Sequence, residues 1–162
     1  MKKMNNKGFS LVELIIVIAI MAVLIVVLAP QYLKYVEKSR NSTDVTNATE
    51  IVSALQIYAS DPDATEPIPS AEFTITITGT ANATGLNDFA TEALDEAGLL
   101  DASDELTTRC VSRSRWTQYS ITATPNDGGL IFTYSAAGAT DAATDFQNAM
   151  TGVRDAGATP TP

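Results

Sequence analysis

Three features of the sequence predict an α+β fold: an apolar run long enough to cross a bilayer, a helical periodicity that continues beyond it, and a strictly alternating segment further on. Together they predict one long N-terminal α-helix, apolar in its first half and amphipathic in its second. That helix packs against a small antiparallel β-sheet head.

The first residues, MKKMNNKG (1–8), are short, polar and basic. From Leu14 to Leu33 no charged residue occurs, and about 20 residues of helix cover about 30 Å, one hydrocarbon core. A secretory signal fits this end badly: the run is too long, Glu13 interrupts its start, and Pro30 stands where cleavage would be wanted. The expectation is therefore a retained anchor. Basic residues flank both ends (Lys2, Lys3 and Lys7 before it; Lys34, Lys38 and Arg40 after it), so loop charge decides little. The long acidic remainder is placed outside the cytoplasm.

Beyond the span, Val45, Ala48, Val52, Leu55 and Ala59 recur at helical steps with Ile51 and Tyr58 beside them, and Asp44, Asn47, Glu50 and Ser53 are assigned to the opposite face. No Gly or Pro falls between Gln31 and Ser60. One helix from Phe9 to Ala59, about 75 Å long, is the result. Pro30 removes a backbone donor and is expected to kink it or loosen a turn. The segment 61–70, with three prolines, ends it. EFTITITGT then alternates, with Phe73, Ile75 and Ile77 on one face and threonines on the other, a half-buried strand. Asn87 and Asp88 cap a short helix that closes near Gly98. Strands are expected from about Leu106 to Ala136, turning at Pro125–Gly129, followed by one short helix and a loose tail.

Charge and composition exclude several functions. Ten Lys and Arg face 19 Asp and Glu, a net charge of −9, and three of the cations lie in the first eight residues. So acidic a body is unsuited to nucleic acid, and no specific nucleic-acid partner is expected. There is no histidine, and Cys110 is the single cysteine. An intrachain disulfide, the usual zinc ligand sets and a histidine-dependent nucleophile are therefore all unavailable. No catalytic carboxylate pair stands out; neither an enzyme nor a cofactor is expected. Arg109, Arg113 and Arg115 alternate with Cys110, Ser112 and Ser114, so on a strand they share a face and pair with acidic patches of the same or the next chain. Cys110, on the other face, reads as a small buried hydrophobe. Tyr32 and Tyr35 read as interface anchors just past the apolar run.

The stretch KGFSLVELIIVIAI resembles the start of a type IV pilin precursor: a basic leader ending in Gly8, then Phe9, Glu13 four residues later, the apolar run and Pro30. The resemblance covers about residues 1–40 and implies a pilin-like fold. It implies cleavage by a prepilin peptidase between Gly8 and Phe9 and N-methylation of Phe9. It also implies a role for Glu13 in subunit assembly, offsetting the cationic amine of a neighbouring Phe9. The organisation it implies is a leader (1–8), a transmembrane or filament-core helix half (9–36), an amphipathic helix half (37–60), and a head with a loose tail (61–162). The implied partners are further copies of itself in a helical homopolymer, the inner or cytoplasmic membrane before assembly, and an assembly platform with its ATPase. The implied role is a subunit of a cell-surface filament for adhesion, aggregation or twitching motility. Two alternatives stand beside it: a pseudopilin of a type II secretion or DNA-uptake system, and a membrane-tethered extracellular binding module. Many Gram-negative members of the family staple the head with a cysteine pair that this chain lacks, which favours a Gram-positive source.

Overall fold

The computed structural model describes residues 10–80 and 83–152. The chain divides into two compact units, Met1–Val36 and Glu37–Pro162. Helix α1 (Leu11–Ala59) contributes to both. The expected start at Phe9 lies outside the described residues. In the first unit every large aliphatic side chain from Leu11 to Leu28 is 51–74% exposed. No side of this stretch has a partner among the described residues, as expected of a helix whose surroundings are lipid or other helices. The helix continues through Pro30 as one element.

The second unit contains strand β1 (Phe73–Thr78), helix α2 (Asp88–Glu96), strands β2 (Trp116–Asn126) and β3 (Gly129–Gly138), and helix α3 (Ala142–Thr151). The three strands form an antiparallel sheet in the order β1-β2-β3. Ile75 faces Ile121 and Ile77 faces Tyr119 across the first pair, and all four are fully buried. On the opposite face the threonines do different work. The hydroxyls of Thr74 and Thr122, and of Thr76 and Ser120, bond across the strands at 2.9 Å. Period-two alternation thus separates an apolar inner face from a hydroxyl-bonded outer one. β2 turns into β3 through Asp127 and Gly128, and Gly128 supplies the positive φ of 97° that so tight a turn needs.

One buried cluster joins α1 to the sheet and to both short helices. From α1 it takes Ala48, Ile51, Val52, Ala54, Leu55 and Tyr58. Tyr58 meets Phe89 of α2 edge-on at 5.2 Å, and Phe146 of α3 lies between Trp116 and Tyr119, at 5.3 and 4.9 Å. Asn87 caps α2 through its side-chain oxygen on the Ala90 N–H at 2.8 Å, and Gly98, with φ of 68°, follows its end. The fold is therefore α+β: a long helix with a three-stranded antiparallel sheet, consistent with a pilin-like arrangement.

Two expectations need correction. Asp44 does not lie on the polar face of α1; it is completely buried. Nor do residues 106–115 form a strand. Leu106 makes an isolated bridge to Leu100, and regular pairing resumes at Trp116. Cys110 still donates to Thr78 of β1 at 3.1 Å, but from Val111 to Arg115 the backbone N–H groups are taken by side-chain carboxylates rather than by a neighbouring strand. Without a strand, the three arginines share no pleated face. All three are exposed, and of them Arg115 pairs with Asp145 of α3.

Candidate functional site

At the N-terminus, Ser10, Leu11, Val12 and Glu13 begin α1. Glu13 Oε2 accepts the backbone N–H of Ser10 at 2.8 Å. This is one half of a capping box: the acid of the first turn bends back to satisfy a donor that the helix leaves unpaired, where the helix dipole favours negative charge. The Glu13 carboxylate is exposed and has no cationic partner among the described residues. Gly8 and Phe9, the expected processing junction and methylation position, lie outside the described residues. Pro30 is an exposed interior residue of α1. It brings no donor of its own, so one helical hydrogen bond is missing there.

The second feature was not legible as a site. Glu37 and Asp44 stand seven residues apart on α1, so they share a face about 10 Å apart along the axis. Both close on the loop 110–116. Asp44 accepts the N–H groups of Val111 (2.7 Å) and Ser112 (2.9 Å) and the indole N–H of Trp116 (2.8 Å). The Cys110 thiol donates to it at 3.5 Å. Glu37 Oε1 accepts the Ser112 hydroxyl and the N–H groups of Arg113 and Ser114, each at 2.8 Å, and that of Arg115 at 3.4 Å. Ser112 closes the network from within, its hydroxyl oxygen accepting the Trp116 N–H at 3.2 Å.

This arrangement is a clasp. Asp44 has donors in place of a cation, which is how a buried charge stays tolerable without a salt bridge, and Glu37 adds an ion pair with Arg40 at 3.5 Å to its own donors. Burial pushes the Glu37 carboxyl upward. The backbone N–H groups of Ser114 and Arg113, the Ser112 hydroxyl and the Arg115 N–H outweigh it and hold the group at about 2. Burial first, then the charge of Asp44 and the bond to it, pushes the Cys110 thiol up to about 12. That thiol is an inert donor and no nucleophile. The buried Tyr119 hydroxyl is driven upward by burial and then by Asp44, and it has no hydrogen-bond partner among the described residues. No group of three or more metal-ligating side chains occurs among the described residues. Asp145 is engaged by Arg115.

Neither feature has the geometry of a catalytic centre. The helix start offers an unpaired carboxylate beside an apolar surface, and the clasp is already filled by the protein's own donors. Residues 3–29 match the family model described as the prokaryotic N-terminal methylation motif. The chain carries a prokaryotic N-terminal methylation motif. Motifs of this kind are the class III signal of type IV pilin-like precursors, and that family is one of structural subunits. The matched stretch includes Gly8, Phe9, Glu13 and most of the apolar run. No curated protein and no solved structure matches the chain.

The clasp was missed for a reason visible in the spacing. Asp44, Ala48, Ile51, Leu55 and Tyr58 follow steps of four and three, the register of the buried stripe. A carboxylate at a core position of an amphipathic helix signals a required set of donors elsewhere. Nothing local identifies residues 111–116 as those donors.

Proposed function

We propose that the chain is a subunit of a type IV pilus, held in the cytoplasmic membrane by α1 and then polymerised into an extracellular filament. A prepilin peptidase cuts between Gly8 and Phe9, and the new amine of Phe9 is methylated. The observation that carries the reading is the methylation motif over residues 3–29, joined to a helix whose apolar side chains are exposed on every side. Such a helix needs lipid or its own copies around it, and a polymer supplies the copies as lipid is left behind.

Glu13 follows from the same chemistry. In the bilayer it stands at the helix end, where headgroups and water are within reach. In a dry bundle a lone carboxylate is costly, and the Phe9 amine of a neighbouring copy offsets that cost only at one axial register. The carboxylate is available for this, since its partner is a single backbone N–H. Pro30 loosens the helix where the two halves meet different surroundings. Assembly by a platform and ATPase, and a role in adhesion, aggregation or twitching, complete the reading.

Changing Glu13 to Ala tests it. Membrane insertion is expected to be unchanged, because the substitution removes a charge from the span. Surface filaments are expected to disappear. Normal filaments from the Glu13→Ala chain would contradict the proposed role of the carboxylate.

A further inference from the structure

We propose that the head binds a neutral polysaccharide, gripping a few sugar units in a polar groove at the Thr78 end of β1. The proposal rests on the subunit reading above for its setting on the cell surface, where it names what the adhesive role would grip, and on the head alone for its chemistry.

The groove, of about 620 Å³, opens where the end of β1 meets residues 110–113, and its size is usual for a small-molecule site. Cys110 donates its N–H to the Thr78 carbonyl at 3.1 Å. A Cβ at Gly79 would meet the Cys110 carbonyl oxygen at 3.3 Å, so glycine lets strand end and loop approach. The hydroxyls of Thr78, Thr80 and Thr117, the carboxamide of Gln118 and the guanidinium groups of Arg40 and Arg113 line it. The Thr117 hydroxyl donates to the Ala137 carbonyl at 3.3 Å, which leaves its oxygen to accept. The side chains of Thr80 and Gln118 form no hydrogen bond among the described residues. Cys110 and Val111 supply the apolar part of the lining, too little to anchor a peptide by its apolar side chains.

Two arginines in a groove without a carboxylate in its lining would by themselves favour an anion. The clasp removes that preference. Glu37 accepts the Ser112 hydroxyl and the Arg113 N–H, and Asp44 accepts the N–H groups of Val111 and Ser112. Two carboxylates therefore stand behind the wall that carries Arg113, and Arg40 itself pairs with Glu37 at 3.5 Å. With the charges balanced, what remains is hydrogen bonding: guanidinium groups that donate, a carboxamide that donates and accepts, and hydroxyls that do either. An anion uses donors alone. A sugar hydroxyl both donates and accepts, and this lining answers both.

The surface beyond the groove has the same character. In a chain of net charge −9, strands β1, β2 and β3 contain no charged residue. Thr78 faces Gln118 at the groove, and on the same outer face follow two cross-strand rows, Thr76 with Ser120 and Ser135, then Thr74 with Thr122 and Thr133. Neighbours within a row stand about 4.8 Å apart and the rows about 7 Å apart. The result is a flat, uncharged platform of hydroxyls, on which an extended glycan leaving the groove can lie.

The test uses the full chain in detergent with neutral tetrasaccharides of glucose, N-acetylglucosamine and mannose, and tetragalacturonate as their acidic counterpart. Binding is read by saturation-transfer NMR and titration calorimetry. At least one neutral tetrasaccharide is expected to bind, more tightly than tetragalacturonate, and about tenfold more weakly to a chain carrying Arg113→Ala and Gln118→Ala. That variant is expected to melt with the parent, since the clasp uses the Arg113 backbone and Gln118 lies on the outer face of the sheet. No binding of any neutral tetrasaccharide, tighter binding of tetragalacturonate, or undiminished binding by a folded double variant would overturn the groove. Filaments counted by electron microscopy separate this result from the subunit reading, and the double variant is expected to form them in the parent's number. Sugar binding by a chain that forms no filaments would remove the subunit reading and leave the groove; filaments without sugar binding would do the reverse.

Discussion

Replacing Asp44 with Ala removes the acceptor at the centre of the clasp. Three N–H donors lose their partner: Val111 N, Ser112 N and Trp116 Nε1, at 2.7, 2.9 and 2.8 Å. Ser112 and Trp116 are buried, so water reaches those donors only if the loop opens. A buried donor left unsatisfied costs about 1–3 kcal/mol, and bonds to charged acceptors lie toward the top of that range. The three together give a loss of about 3–6 kcal/mol, a large share of the roughly 5–15 kcal/mol available to a domain. For a head of this size that corresponds to a fall in melting temperature of roughly 10–20 °C. The assay is thermal unfolding of the full chain in detergent, followed by fluorescence of Trp116, the single tryptophan. Because its indole N–H is one of the orphaned donors, the folded-state spectrum is also expected to change. An Asp44→Ala chain that melts within about 3 °C of the parent, with an unchanged spectrum, would refute the claim that this carboxylate organises the loop.

Two further predictions concern the same network. Glu37 has its folded pKa lowered from 4.5 to about 2, so its contribution to stability is fully present above pH 4.5 and is lost as the pH falls toward 2. Glu37→Gln is expected to flatten this acid limb and to cost about 1–3 kcal/mol near neutrality, both read from unfolding midpoints across pH; an acid limb identical to the parent's would contradict it. The Cys110 thiol, raised from 9.0 to about 12, is expected to form about a thousandfold less thiolate at pH 8 than the unfolded chain. Its alkylation should therefore be slow until the head unfolds. Rapid labelling of the folded protein would show that the loop opens readily.

The architecture was legible where one local rule decided it. The alternation of Phe73–Thr78 placed β1 and its buried isoleucines, and the Asn87 cap and Gly98 bracketed α2. The apolar run and its continued periodicity gave α1 its length. The Ser10 to Glu13 capping pattern was also available in the sequence, and the structure supplies its meaning as a local partner for Glu13. Residues 106–115 failed because their alternation of arginine with small residues has the look of a strand. The backbone donors of Val111 to Arg115 are satisfied by Glu37 and Asp44, about 70 residues earlier in the chain. Non-local side-chain acceptors leave no periodic trace in the segment that uses them. Asp44 was misplaced by assigning it with the polar residues around it, although its spacing from Ala48, Ile51 and Leu55 sets it in the core.

The account stands on processing at one junction. Intact mass and N-terminal fragmentation of the protein sheared from the cell surface test it most directly. The account predicts a chain that begins at Phe9 and carries one additional methyl group on its amine. A surface chain that retains Met1 to Gly8, or one that begins beyond the apolar run, would contradict it and leave an anchored or secreted head that does not polymerise.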